Sequence, residues 1–268
     1  NLNTDELQEA LDRTYDYTVL VVEDDPDIQG YLQAELKQNF HVLVADNGVK
    51  ALEVLMSEEV SMVVSDVMMP EMNGFDLCRK IKSDIVLSHL PVMLLTALSD
   101  DKQQMYGAAS GADAYIQKPF NIEVVKLRII KLLEDRARLR EAYARDASSP
   151  AVSVKEEKAG SMDDLFMNRF LKLIEESYAD PDFSIEKGSE KLGLSRVHLY
   201  RKVKELAGVT PTDFLRNYRL KKAAALLRRK AGNVNEVAYA TGFGSPAYFS
   251  KCFKAVYNIT PTEYLEKE

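Results

Sequence analysis

Residues 18–25 of the chain read TVLVVEDD, a short apolar run that ends in three carboxylates. Four further apolar runs follow, separated by segments with helical periodicity. They cover residues 42–45, 62–65, 92–95 and 114–116. Continuously apolar strands, unlike alternating ones, suit a parallel sheet that helices cover on both faces. The pattern therefore predicts a doubly wound α/β domain with a five-stranded parallel sheet.

The sequence changes character after this domain. Residues 146–160 mix Ser, Lys and Glu with little to bury, and every segment after them reads as a helix bounded by Gly, Pro, Ser or Asp. A length of 268 residues leaves room for two domains that each bury a core. We predict an N-terminal extension over residues 1–17, an α/β domain over 18–145, a linker over 146–160 and an all-α domain over 161–268.

The net charge of -7 conceals two halves of opposite sign. Residues 1–159 carry 17 Lys and Arg against 28 Asp and Glu, a net charge of -11. Residues 184–258 carry 15 Lys and Arg against 5 Asp and Glu, a net charge of +10. A single lysine cluster is usually a solvated face, but a strongly basic segment inside an acidic chain favours a polyanionic partner.

Cysteine usage and hydrophobicity indicate the compartment. Cys78 and Cys252 lie far apart and form no metal or redox motif, so we expect reduced thiols and a cytoplasmic setting. No apolar run approaches the roughly 18 to 20 residues of a membrane span, so we expect no membrane contact from this segment. The first residue is Asn1, not Met, which suggests a segment of a longer polypeptide.

Polar residues stand where the predicted strands end. In open α/β sheets, ligands bind beyond the carboxyl ends of the strands, so these side chains should share one pocket. They are Glu23, Asp24 and Asp25 after the first strand, Asp66 after the third, Thr96 after the fourth and Lys118 after the fifth. Crowded carboxylates need a cation, and hard oxygen ligands suit Mg²⁺. We predict that Asp66 is a nucleophile toward phosphorus, with Lys118 and Thr96 contacting the phosphoryl oxygens.

These residues give positions 18–140 a close resemblance to the receiver domain of response regulators. The matching motifs are Glu23-Asp24, Asp66-Val67-Met68-Met69-Pro70, Thr96-Ala97 and Lys118-Pro119-Phe120. The resemblance implies a flavodoxin-like fold with Asp66 as phospho-acceptor. It also implies that Asp24 and Asp66 bind the metal directly, that Glu23 binds it through water, and that the backbone carbonyl of Met68 completes the set. Asp25 falls outside the motif and is expected to be a loop carboxylate near the first helix.

The same resemblance implies a two-state switch. In the family, an aromatic residue three positions before the lysine turns inward when the hydroxyl moves toward the phosphoryl group. Tyr115 and Thr96 occupy these places. The alternative is that Tyr115 only caps the fifth strand.

The helical half contains an internal repeat. Residues 195–215 match residues 245–265 at an offset of 50, and Gly208 pairs with Asn258, both suited to a left-handed helix end. In each copy a short helix and a turn precede a helix whose first turn is capped by Ser, which is the pattern of a helix-turn-helix. The sequence therefore predicts two helix-turn-helix units.

The second helix of each unit should present a cationic stripe. In the first unit Leu199, Val203 and Leu206 face the core, and in the second Tyr248, Phe249 and Phe253 do so. Arg and Lys reach guanine edges or phosphates in the major groove, and apolar groups meet thymine methyls. The predicted DNA-binding residues are Arg196, Val197, Tyr200, Arg201 and Lys204 in the first unit and Ser245, Ala247, Ser250, Lys251 and Lys254 in the second.

Residues 162–268 also resemble an AraC-type DNA-binding domain. The resemblance rests on residues such as Arg219-Leu220, Ala238-Tyr239, Gly242-Phe243 and Phe253-Lys254, and it implies double-stranded promoter DNA as partner. One departure is Gly188-Ser189, where the family usually has Leu-Ala. A Gly inside a helix costs about 1 kcal/mol relative to Ala, so we expect the first unit to be the softer one.

Together these features predict a phosphorylation-dependent transcription regulator, not a metabolic enzyme. Its receiver would take a phosphoryl group from a histidine kinase and control sequence-specific DNA binding, with homodimerisation as one outcome. The domain order, Leu87-Ser88-His89-Leu90-Pro91 and the non-Met start resemble the C-terminal end of a hybrid two-component system, with the sensor and kinase in the same, membrane-bound polypeptide.

Two alternatives stay open on the sequence alone, and a third is disfavoured by Met68. The chain could be a stand-alone response regulator with a separate kinase, or a phospho-switch whose helical domain binds protein. A Mg²⁺-dependent phosphatase of the haloacid dehalogenase type would carry a second Asp two residues after Asp66, where this chain has Met68.

Overall fold

The computed structural model describes residues 4–97, 110–148 and 161–266. The chain separates into two compact units, Asn1–Arg138 and Leu139–Glu268. The division falls inside the helix that ends the α/β part, close to the predicted boundary at residue 145. Most of the predicted linker, residues 149–160, lies outside the described residues.

The first unit is built on a parallel sheet with strand order β2-β1-β3-β4-β5. Each strand begins and ends within one residue of a predicted apolar run. The strands are β1 (Thr18–Val22), β2 (His41–Ala45), β3 (Met62–Asp66), β4 (Val92–Thr96) and β5 (Ala114–Gln117). Val21 pairs with Val44 on one side and with Val64 on the other, so the carboxyl ends of the central strands meet at one edge. The predicted doubly wound fold is confirmed.

One described helix of this unit precedes the sheet, and four follow strands. They are α1 (Thr4–Asp12), α2 (Pro26–Leu36), α3 (Gly48–Ser57), α4 (Gly74–Ser83) and α5 (Ile122–Ser148). Asp25, Asn47 and Asn73 accept hydrogen bonds from backbone N–H groups in the first turns of α2, α3 and α4, respectively. The helix that the sequence pattern predicts between β4 and β5 lies outside the described residues.

The N-terminal extension packs against the sheet domain. Asn39 is buried, and its Nδ2 donates to the carbonyl oxygens of Leu11 at 2.7 Å and Arg13 at 2.8 Å. The backbone N–H of Tyr15 donates to the Asn39 carbonyl at 2.8 Å. The ring of Tyr15 stacks on Phe40 with 5.7 Å between centroids. The extension is therefore fixed to the domain at the start of β2, far along the sheet from the strand ends that carry the carboxylates.

The described part of the second unit consists of helices, as predicted. They are α6 (Met162–Ser177), α7 (Ile185–Leu192), α8 (Arg196–Ala207), α9 (Pro211–Arg228), α10 (Val234–Ala240), α11 (Pro246–Tyr257) and α12 (Pro261–Glu266). Ser195 caps α8 and Ser245 caps α11. Both helices end in left-handed residues, Gly208 with φ 70° and Asn258 with φ 62°. The two copies of the repeat therefore share their caps at both ends.

One residue assigned to the core is not there. Phe249 and Phe253 are fully buried, but Tyr248 is 53% exposed. Tyr248 lies in the first turn of α11 and contacts only the rim of the core, with its ring 6.3 Å from that of Phe243. The prediction for Tyr248 was wrong because a residue next to the core stripe, in the first turn of a helix, has neighbours on one side only.

Candidate functional sites

Three carboxylates meet at the edge of the sheet. Glu23 follows β1 and Asp66 ends β3, and both are buried, whereas Asp24 is exposed. Glu23, Asp24 and Asp66 each place a carboxylate oxygen within 4.8 Å of the others. The Nζ of Lys118, at the end of β5, lies 2.9 Å from Glu23 Oε2 and 3.0 Å from Asp66 Oδ1. The fold thus brings together four of the residues that the sequence assigned to one pocket.

The electrostatics of this cluster are unbalanced. Burial raises the pKa of Glu23, and the nearby Asp66 raises it further, while the hydrogen bond from Lys118 works in the opposite direction. Burial alone would lower the pKa of Lys118, but its bonds to Glu23 and Asp66 outweigh burial and raise it. One ammonium therefore does not fully offset the buried negative charge.

The donor set fits a hard divalent cation. The three carboxylates offer oxygen ligands on one side, and Asp24 is exposed, which leaves space for water. Receiver-type acidic clusters of this kind commonly bind Mg²⁺. The Glu23 carboxylate, whose ionised form is disfavoured by burial, would gain from a cation beside it.

The other residues predicted for this site lie on strands of the same sheet or in the loops that follow them. Thr96 ends β4, and its carbonyl accepts a hydrogen bond from the Lys118 N–H at 2.7 Å. Tyr115 is 41% exposed, and its hydroxyl lies 3.0 Å from Ser110 Oγ. The side chain of Met68 is exposed, so only its backbone is available to the site. Asp25 Oδ1 accepts from the N–H groups of Asp27 and Ile28, which makes it the helix cap expected of a carboxylate outside the motif.

The sequence did not predict the backbone contacts of two residues that shape the pocket. Gln29 Nε2 donates to the carbonyls of Glu23 at 2.8 Å and Ala45 at 3.1 Å, and so ties the ends of β1 and β2 together. A Cβ on Gly74 would lie 2.2 Å from the Asp66 carbonyl oxygen, so only Gly fits there. In the sequence, Asn73-Gly74 and Pro70 are typical of a turn that shapes the loop over Asp66, with no chemical role, but they do not reveal which backbone atom Gly74 approaches.

The stripe on α8 is exposed in part. Val197 is 61% exposed, Tyr200 and Lys204 are also exposed, and Arg201 is half-buried. Arg196, in the first turn, lies 3.2 Å from Glu186 of α7 and remains largely exposed. On the opposite side of α8, Leu199 and Val203 are fully buried, whereas Leu206 is half-buried.

The stripe on α11 has smaller side chains. Ala247, Lys251 and Lys254 are exposed, and Ser250 is half-buried. The Ser245 side chain accepts a hydrogen bond from the Tyr248 N–H at 3.4 Å, so part of its capacity is used by the helix cap. Each unit therefore carries cations on the face away from its core.

Helix α9 joins the two helix-turn-helix units and is held by Arg219. Its Nε donates to the Tyr178 carbonyl at 2.8 Å, and its Nη2 donates to the Asp180 carbonyl at 2.7 Å. Gly242, in the turn before α11, has φ 81°, and a Cβ there would lie 2.1 Å from the Tyr178 carbonyl oxygen. Three parts of the domain therefore meet at the Tyr178 carbonyl. They are the segment after α6, the helix α9 and the turn before α11.

Comparison with known families agrees with this geometry. Residues 19–130 match the model of the response regulator receiver domain, and residues 189–267 match that of a helix-turn-helix domain. The chain joins a response regulator receiver domain to an AraC-type helix-turn-helix domain. The receiver match covers all five strands and the carboxylate cluster, and the helix-turn-helix match covers both copies of the repeat.

Individual relatives align with most of the chain or with about half of it. Histidine kinase P4 of Formosa agariphila is 38% identical over 263 residues, which are 98% of this chain but 19% of that protein. Transcriptional regulatory protein HptR of Staphylococcus aureus is 27% identical over 84% of this chain and 87% of its own length. A solved receiver domain of a signal transduction histidine kinase from Syntrophus aciditrophicus is 30% identical over 53% of this chain and 96% of its own, with a TM-score of 0.43.

The receiver and helix-turn-helix domains span about a fifth of the length of histidine kinase P4. Among the helices described, none combines the length and the hydrophobicity that a bilayer crossing requires.

Proposed function

We propose that the chain is a phosphorylation-dependent transcription regulator in which Asp66 accepts a phosphoryl group from a histidine kinase and thereby changes how the C-terminal domain binds promoter DNA. The observation that carries the proposal is the position of Lys118, which bonds Asp66 and Glu23 at once beside a third carboxylate. This arrangement is joined in one chain to two helix-turn-helix units with cationic faces.

Asp66 is the proposed nucleophile. An Oδ atom of Asp66 would attack the phosphorus of a phosphohistidine, the P–N bond would break, and the imidazole would leave with the electron pair. Lys118 can transfer its hydrogen bond from Asp66 to the new phosphoryl group, because its bond to Glu23 keeps it in place. Mg²⁺, held by Glu23, Asp24, Asp66 and the Met68 carbonyl, would neutralise charge on the carboxylate and the phosphoryl oxygens.

The acyl phosphate would act through charge. It adds about -1.5 to -2 charges and strong acceptor oxygens, which attract the hydroxyl of Thr96 at the end of β4. Tyr115, now partly exposed and bonded to Ser110, would give up that position and turn inward. The surface that includes Tyr115 is then the one that differs between the two states of the receiver.

The phosphodonor is proposed to lie in the same, longer polypeptide, on the cytoplasmic side of a membrane-bound sensor. The alignment of almost the whole chain with part of histidine kinase P4 supports this arrangement. The alignment with most of HptR supports the alternative, a stand-alone regulator with a separate kinase. Phosphorylation-driven dimerisation fits either arrangement.

The proposal is tested by incubating the chain with acetyl phosphate and Mg²⁺. We expect the mass to rise by one phosphoryl group in the wild type and in Asp25→Asn, which alters only the cap of α2, but not in Asp66→Asn. The affinity for a duplex selected by the wild type from a random-sequence pool should change on phosphorylation. An unmodified Asp66 would refute the proposal. Phosphorylation without any affinity for DNA would favour a helical domain that binds protein.

A further inference from the structure

Lys202 lies in the middle of α8, yet its side chain has no exposed surface. Its Nζ lies 2.5 Å from Asp163 Oδ1, in the first turn of α6, and 5.8 Å from the ring centre of Phe166. Burying a lysine is costly unless an opposite charge accompanies it. This cation of α8 therefore serves contact with α6 and is not available to DNA.

The second helix-turn-helix unit has no lysine at the position equivalent to Lys202. At the repeat offset of 50, the residue equivalent to Lys202 is Cys252, a half-buried thiol on α11. The helix-turn-helix itself therefore accepts a compact, uncharged side chain at this position. The lysine is a feature of the first unit, where α6 supplies the carboxylate.

Asp163 lies at the entrance to the DNA-binding domain. It is the second residue of α6, two positions after the Ser161 cap, and residues 149–160 precede that cap in the sequence. Farther along α6 the contacts include apolar ones, since Phe166 and Phe170 are buried and Phe170 packs edge-on against Phe214 at 5.2 Å. The ion pair is therefore a charged contact between the first turn of α6 and α8.

We propose that the Asp163–Lys202 ion pair couples the linker, residues 146–160, to α8, the first DNA-reading helix. Lys202 is then a positioning residue through which the phosphorylation state of the receiver affects α8. The inference rests on the proposed function. An apolar contact tolerates sliding, whereas a buried ion pair is favourable in one arrangement and costly when parted. A displacement of the first turn of α6 therefore has to move α8, and with it the stripe of Val197, Tyr200 and Lys204.

The test compares two lysine-to-methionine variants of the full chain. Lys202→Met removes the pair and keeps an unbranched side chain in the buried site. Lys222→Met is the matched control, because Lys222 lies 3.9 Å from Glu175 near the other end of α6. The double variant Asp163→Asn/Lys202→Met removes both charges and serves if the single variant unfolds. Each is assayed for affinity to the duplex selected by the wild type, with and without acetyl phosphate, and for its thermal midpoint.

We expect phosphorylation to change the affinity of the wild type and of Lys222→Met by roughly fivefold or more, the usual range of allosteric coupling. The ratio should fall to about one in Lys202→Met and in the double variant. The thermal midpoint should fall in Lys202→Met, which removes one charge of a buried pair, and should stay near that of the wild type in the double variant, which removes both. A wild-type ratio in either folded variant overturns the inference and leaves the proposed function standing. A wild type that shows no response to phosphorylation overturns both.

Discussion

Lys118 holds two carboxylates with a single ammonium, which leaves the pocket with excess negative charge. The raised pKa of Glu23 shows where the cost lies, since burial and Asp66 both disfavour its ionised form. A cation in the pocket and a neutral side chain at position 23 should each relieve this cost. The two effects can be separated by measurement.

Adding Mg²⁺ should stabilise the wild-type chain, by about 2.7 kcal/mol at a concentration 100 times the dissociation constant. In Glu23→Gln the Mg²⁺-dependent rise of the receiver's thermal midpoint should fall by at least half, because one carboxylate ligand is lost. Without Mg²⁺, this variant should melt at or above the wild type, since the pocket then has one buried carboxylate fewer to ionise. Asp25→Asn should keep the full Mg²⁺ effect. Equal shifts in all three proteins would contradict the proposed ligand set.

Cys78 should be unreactive in the native chain. Burial raises its pKa to about 11, and its thiol donates to the Ser110 carbonyl at 3.3 Å. At pH 8, a thiol-specific disulfide reagent should therefore modify Cys252 in the folded chain, and Cys78 only after unfolding. The unfolded thiol titrates near pH 8.5, so Cys78 contributes stability below that pH, which is lost as pH rises toward 11. Rapid modification of Cys78 in folded Cys252→Ser would contradict this.

The sequence was sufficient to predict which residues lie together at the ends of the strands. It was not sufficient to predict side-chain contacts with backbone groups that are distant in the sequence. Glu23, Asp66 and Lys118 follow apolar runs, and a parallel sheet brings such positions together. Gln29 and Gly74 act on carbonyl groups that only the folded chain brings near them. Lys202 was unremarkable in sequence, because helical periodicity places it beside the core stripe but does not identify a partner 39 residues away.

At the scale of elements, the connecting helix α9 depends on contacts near its middle. Arg219 donates to the carbonyls of Tyr178 and Asp180, and the Gly242 turn approaches the same carbonyl of Tyr178. Burial lowers the pKa of the Arg219 guanidinium, although it stays charged. The spacing of the two helix-turn-helix units therefore depends on a junction of backbone groups, in addition to the length of α9.

Gly242→Ala should destabilise the second unit by about 2–4 kcal/mol, since its Cβ would overlap the Tyr178 carbonyl and the residue must keep a positive φ. Gly193→Ala is the matched control. Gly193 also has a positive φ, 70°, but nothing lies within 4 Å of its Cβ position, so the loss should be about 1–2 kcal/mol. Denaturant unfolding of the three proteins measures both. Equal losses would show that the close approach is unimportant.

The expected lower stability of the first helix-turn-helix unit cannot be explained by a gap in its core at Gly188. A Cβ on Gly188 would lie 3.2 Å from Phe183 and 3.3 Å from Leu173, so these side chains already fill the space of the missing one. The remaining reasons for lower stability are the low helix propensity of Gly188 and a weaker N-terminal cap on α7. Helix α10 has a capping box of Asn233 and Glu236, whereas Ser184 alone caps α7.

Amide exchange should therefore be about fivefold faster over residues 186–191 than over 236–241, the factor that corresponds to 1 kcal/mol. Native-state hydrogen exchange followed by mass spectrometry measures this ratio. Gly188→Leu, which restores the usual family residue, should lower the thermal midpoint of the unit, because leucine would collide with Phe183 and Leu173. A rise of the midpoint in Gly188→Leu would show that the space is not filled.

At the scale of the whole molecule, charge is divided between an acidic first part and a basic segment over residues 184–258. The basic segment includes cations on the stripes of α8 and α11, and others on α9. Phosphate contacts made by such cations release counterions, so DNA affinity must fall with salt. The stripes therefore predict how much each cation contributes to the salt dependence.

Lys251→Ala and Arg201→Ala should each weaken binding to the selected duplex and, where the cation contacts phosphate, lower the slope of log affinity against log salt by about one. Fluorescence anisotropy between 50 and 200 mM salt provides the slopes. Lys37→Ala removes an exposed cation of the receiver domain and should leave the salt slopes unchanged. Similar slopes in all variants would show that other surfaces bind DNA.

The buried Asn39 has a practical consequence for anyone who transplants this receiver. The family match begins at residue 19, and the strand at Thr18, so a cut there looks natural. Such a cut would strip Asn39 of the carbonyls of Leu11 and Arg13 and uncover one face of Phe40. A chimaera that carries residues 4–17 keeps these contacts, and one that begins at Thr18 exposes an unpaired amide and an aromatic ring to its new neighbours.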